Sequence, residues 1–143
     1  PALTEKERFA QELMFPIGGP NDAYAKYFKG QSYLAPVSTE QVPIYNVTFE
    51  PKCRNNWHIH HADKEGPASH LCRRKGNLSS LGEETCPHAA GSVGSHSSGG
   101  QALAWCRADA WFSHLAMDPE ASIHPMSGLR KCRMRNMKKL WLL

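Results

Sequence analysis

The residues of this chain whose types and spacing could do chemistry gather in Trp57-His58-Ile59-His60-His61. If the backbone is extended there, side chains alternate with a period of two. His58 and His60 then share one face, and Trp57, Ile59 and His61 the other. Two neutral imidazoles so placed on a strand both reach one divalent ion at about 2.0–2.2 Å. In a chain with eight histidines the same spacing also arises as a surface or packing pair, and spacing alone leaves both readings open.

The elements that must position these residues are legible on either side. Val42 to Glu50 alternates like a strand, with Tyr45, Val47 and Phe49 on one side and Asn46, Thr48 and Glu50 on the other. A second strand is expected over Trp111 to Met117, where Phe112, His114 and Ala116 share a face. Thr4 is a plausible N-cap for a helix over roughly residues 5–14, with Glu5 and Glu7 suiting its dipole and Phe9, Leu13 and Met14 along one side. The stretch Pro16 to Pro20 ends this helix; Asn21 to Phe28 reads as a further helical turn and Ser32 to Leu34 as a short strand.

Glu50-Pro51-Lys52-Cys53-Arg54-Asn55-Asn56-Trp57-His58-Ile59-His60-His61 resembles the first motif of the cupins. More closely, it is similar to small bacterial single-domain cupins that stand beside carboxymuconolactone decarboxylases and manganese-dependent hydroxynitrile lyases. The family pattern is Gly, five residues, His-x-His, three or four residues, then Glu. His58, His60 and Glu65 fall on its ligand positions, while Lys52 stands where the pattern has Gly. Met14-Phe15-Pro16-Ile17-Gly18, Asn21 to Phe28, and Asp109 to Met117 extend the resemblance over a little more than half of the chain. It implies an all-β jelly-roll barrel, the cupin double-stranded β-helix, with an N-terminal helical arm (residues 1–36), a barrel (37–126) and a basic tail (127–143). It further implies a divalent ion (Mn, Fe, Ni or Zn) on His58, His60 and Glu65, a pocket walled by Tyr45 and Val47, and His114 as a proton carrier. A small-molecule substrate, lyase- or decarboxylase-type chemistry and a homodimer complete that expectation. Two other readings stay open: a non-catalytic small-ligand binder, and an inactive cupin that has lost its second metal motif. His114 also has a plain reading as a core or rim histidine, and Glu65 as a solvated loop carboxylate.

A chain of 143 residues, 41% hydrophobic and 21% charged, fits one globular domain. No apolar run approaches the roughly 18 residues of a membrane span, and a cytoplasmic protein is expected. Five cysteines, with no Cys-x-x-Cys pair, argue against a disulfide framework or a structural zinc site. The net charge of +4 is uneven: six of the 17 basic residues and none of the 13 acidic ones lie in Ser127 to Leu143. Such a tail suits nucleic acid or anionic membrane. No nucleic-acid fold signature accompanies it, and neither partner is expected.

Gly66 to Gly100 differs in kind. Seven of the eleven glycines and seven serines fall there, with Thr85 and Val93 the only β-branched residues. Composition therefore reads 66–108 and 127–143 as irregular, against the strands a barrel needs. A displaced reading frame accounts for the conflict. One nucleotide over, codons for Gln101 to Arg107 can spell Val-Lys-His-Trp-His-Gly-Ala, which resembles the second cupin motif. Pro67 to Gly82 and the tail from Ser127 can likewise be shifted to family-like text. As written, the chain has no histidine between His96 and His114. His70, His88, His96 and His124 lie in segments without readable periodicity and are read as incidental; Arg54, Asn55 and Asn56 are assigned to turn geometry.

Overall fold

The structure is a computed structural model. It describes residues 2–40, 42–59, 68–72, 76–80, 86–88, 93–96, 101–105, 109–117 and 127–130, with side chains over 2–40, 42–56 and 109–117. Helix α1 spans Glu5–Gln11 and begins as the sequence requires. The Thr4 hydroxyl accepts the Glu7 backbone N–H at 3.2 Å, and the Glu7 carboxylate accepts the Thr4 N–H at 2.7 Å, a reciprocal capping box. The helix stops short of residue 14, with Glu12 as its C-cap. Phe9 is buried and Leu13 packs at the edge of its cluster, whereas Met14 is 78% exposed, so burial gives no reason to continue the helix. A 3-10 turn covers Asp22–Tyr27.

Thirteen strands are described: β1 (Gly19–Pro20), β2 (Phe28–Lys29), β3 (Ser32–Ser38), β4 (Ile44–Phe49), β5 (Arg54–Asn55), β6 (Trp57–Ile59), β7 (Ala68–Cys72), β8 (Gly76–Ser80), β9 (Cys86–His88), β10 (Val93–His96), β11 (Gln101–Trp105), β12 (Phe112–Met117) and β13 (Ser127–Arg130). One sheet runs β1-β3-β4-β12-β7-β10. The other runs β13-β6-β11-β5-β2, with β8 joining β11 to β9. Every pairing is antiparallel. β3 is longer than the Ser32 to Leu34 expected, because all of its length except the irregularity near Pro36 is paired along β4.

The expected alternation of β4 holds, and both of its faces are covered. Val47, Phe49, Cys53 and Phe112 form a buried cluster, with Phe28, Leu34, Tyr45 and Ala116 packed against it. Phe28 belongs to the second sheet and meets Phe49 edge-on at 5.6 Å, so this is the face between the sheets. The opposite face carries Asn46, Thr48 and Ser113, each at most 3% exposed. The N-terminal arm lies over it. Phe9 stacks on Trp111 at 5.5 Å, Trp111 on Tyr33 at 6.2 Å, and Ile17 completes the cluster. Burying polar side chains costs free energy unless they are paired. Here Thr48 Oγ1 donates to Ser113 Oγ, Ser113 Oγ donates to Asn46 Oδ1 at 2.6 Å, and Asn46 Nδ2 donates to the Pro16 carbonyl at 2.8 Å. The last bond ties arm to sheet. Gly18 permits the approach: its φ is +82°, and a Cβ there would collide with the Leu34 carbonyl.

β4 does not continue into Trp57. A turn at Pro51–Lys52 carries the chain into the second sheet, with Lys52 at φ +69°. Tyr45 and Val47 therefore stand in one sheet and His58 in the other. The segments read as irregular from composition also differ from expectation: β7 to β11 lie within 66–108, and β13 within 127–143. Intrinsic strand propensity spans only about 1 kcal/mol and yields to pairing context; β7 lies between β12 and β10, and β11 is held by β5, β6 and β8.

Candidate functional site

The space between the sheets is graded along its length. At one end Phe49 and Phe112 are fully buried, 5.7 Å apart, and with Phe28 and Cys53 they close the interior with an apolar floor. Two residues along, Val47 and His114 are opposite one another and 9% and 4% exposed. Two further along, Tyr45 and Ala116 are opposite and only half-buried. The interior thus opens toward the Ile44–Met117 end, with Tyr45 and Val47 on the β4 side of it.

His114 stands on the same face. Its ring stacks on Phe112 at 5.3 Å and meets Phe49 edge-on at 5.6 Å. A buried imidazole above an aromatic floor can accept a proton at one nitrogen and donate from the other. Only one side of the interior is thereby furnished.

The other side follows from register. Residues directly opposite in an antiparallel pair share a face, and neighbours along a strand alternate. Phe28 faces the interior and is opposite Asn55, so position 55 lies on the inner face and position 54 on the outer. Arg54 pairs with Trp105, which makes position 102 an inner one, and Ala102 pairs with His58. Position 58 therefore falls on the inner face, three residues after position 55. The odd count marks a one-residue offset around Asn56, whose backbone N–H turns aside to the Tyr27 carbonyl at 2.6 Å. Asn56 thus serves the backbone as expected, while Arg54 and Asn55 are buried strand residues. His60 and Glu65 lie outside the described residues. Among the residues whose side chains are described, no group of three or more His, Cys, Asp or Glu is gathered for a metal ion, and among the described residues no helix is long and apolar enough to cross a membrane. Cys53 is fully buried.

A second polar pair went unread in the sequence. Tyr33 Oη donates to Glu50 Oε1 at 2.6 Å, and Lys6 Nζ lies 3.7 Å above the Tyr33 ring. Burial first, then the hydrogen bond to and the charge of Glu50, push the Tyr33 phenol up to about 12. The pair spans β3 and the turn after β4, beneath the arm, so it fastens the fold. No sequence signal short of the register of β3 on β4 joins positions 33 and 50.

Two sheets closing on one interior, with imidazole-bearing positions on each, define a jelly-roll barrel. No family model and no curated protein matches the chain. Its structure is similar to that of a cupin-like protein from Thermotoga maritima, with TM-score 0.77 and 20% identity, covering 89% of this chain and 96% of that one. It is similar to a cupin-2 domain protein from Rhodospirillum rubrum, with TM-score 0.60 and 10% identity, covering 79% of this chain and 74% of that one. It is also similar to a DMSP lyase from Ruegeria pomeroyi, with TM-score 0.57 and 14% identity, covering 88% of this chain and 58% of that one. The fold is the cupin β-barrel, with a short N-terminal helix.

Proposed function

We propose that this chain is a divalent-metal-binding cupin that acts on a small organic molecule by lyase- or decarboxylase-type chemistry. The observation that carries the reading is that position 58 and His114 lie on the inner faces of opposite sheets, across one interior. The resemblance of the His58 motif to the cupin pattern and the likeness of the fold to a DMSP lyase support it. His58, His60 and Glu65 are the residues that would hold the ion. Two imidazoles and a carboxylate are a donor set suited to Mn, Fe, Ni or Zn. Such an ion supplies Lewis acidity to a substrate oxygen or nitrogen. Tyr45 and Val47 form the wall against which a substrate rests, and the Phe49–Phe112 floor excludes water beneath it. His114 takes or returns the substrate proton. The functional unit is a cytoplasmic homodimer, which size-exclusion chromatography with light scattering would check.

The reading frame is part of the same proposal. Codons that cannot be shifted to the family-like text would end this part of the reading. For the activity itself, metal-loaded protein is screened against small carboxylates and hydroxynitriles. Turnover by the wild type, reduced about a hundredfold or more in a His114→Ala variant that keeps the ion lost in His58→Ala/His60→Ala, supports the proposal. Turnover equal in both contradicts the role of His114, and none on any substrate contradicts the enzyme.

A further inference from the structure

The inner row of β12 continues onto β7. Position 72 is directly opposite His114 and position 70 directly opposite Ala116. His114 is fixed on the inner face by its contacts with Phe49 and Phe112, so positions 70 and 72 lie on that face too. Two adjacent strands thus bring Cys72, His70 and His114 to neighbouring inner positions, although sequence spacing leaves the cysteine unpaired and His70 without a role. We propose that these three form a soft-metal site of one thiolate and two imidazoles, taking Zn²⁺ or an ion like it, separate from His58, His60 and Glu65.

The spacing suits one ion. Opposite positions have Cβ atoms about 4.5–5.5 Å apart, and positions 70 and 72 are separated by two residues of a strand, roughly 6–7 Å. Zinc binds sulfur at about 2.3 Å and imidazole nitrogen at about 2.0–2.1 Å, and three protein donors leave its fourth position open. β10 sets Gly94 opposite position 70, a residue that brings no side chain into the row. A ring nitrogen bound to an ion cannot take up a proton, so on the proposed function this site is inhibitory. Metal binding itself does not depend on that function.

The test uses the metal-free chain with its mass verified at 16.0 kDa, which also fixes the reading frame of the protein in the tube. Co²⁺ alone is titrated in, and the near-ultraviolet sulfur-to-cobalt charge-transfer band is followed. The band should saturate at a single Co²⁺ per chain, persist in Cys86→Ser and in His58→Ala/His60→Ala, and vanish in Cys72→Ser. His70→Asn should weaken binding about tenfold or more. No band in the wild type, or a band that survives Cys72→Ser or is lost in the double variant, overturns the site. If Cys72→Ser does not fold by circular dichroism, His70→Asn decides, and undiminished affinity there overturns it. The double variant separates the two proposals, since loss of its resident metal concerns His58 and His60 while the cobalt band concerns Cys72.

Discussion

Lys52 occupies the position where the cupin pattern has glycine, and it holds φ +69°. Left-handed backbone costs an L side chain about 1 kcal/mol or more. Lys52 is exposed, so Lys52→Gly is expected to raise stability by about 1 kcal/mol, less the added chain entropy of glycine; urea unfolding would register it as a higher midpoint at constant slope. Tyr33 makes the pH dependence readable. Its folded pKa is raised above the ordinary value of 10.0 to about 12. Between those values the unfolded chain binds fewer protons than the folded one. Its contribution is therefore complete below pH 10 and is lost as pH rises toward 12. Thermal melts across that window should show a decline that Tyr33→Phe reduces.

At the scale of elements, the six-stranded sheet is held from both faces. Phe49 is fully buried between Phe28 and Phe112, and Phe49→Ala is expected to cost about 3–5 kcal/mol in denaturant unfolding. On the other face, Ser113→Ala leaves the buried Asn46 Oδ1 without the 2.6 Å bond it accepts. A cost of about 1–3 kcal/mol is expected, with faster proteolysis of the arm that Asn46 fastens at Pro16. Much of this was legible beforehand. The Thr4 cap, the alternation of Tyr45, Val47 and Phe49, and the face shared by Phe112, His114 and Ala116 follow from spacing that local sequence determines. The turn at Lys52 and the offset at Asn56 were not legible, since a one-residue change in register leaves no mark on a hydrophobic pattern so short. The burial of Asn46 and Thr48 was not legible either, because nothing in β4 itself announces the arm above them. Composition misled over 66–108, where strand pairing outweighs weak propensity.

For the whole molecule, the two sheets divide the labour of a cupin interior. The six-stranded sheet supplies the apolar floor, the wall at Tyr45 and Val47, and His114. The other brings position 58 to the inner face across from them. Cupin barrels host many chemistries, so the fold leaves the reaction to the donors inside it. The claim on which the account turns is that His58 and His60 hold a metal ion. The direct measurement is the metal content of protein purified without chelator, beside His58→Ala/His60→Ala. The account predicts near-stoichiometric Mn, Fe, Ni or Zn in the wild type, lost in the double variant except for any ion bound through Cys72. Metal absent from the wild type, or equal in both proteins, would contradict it.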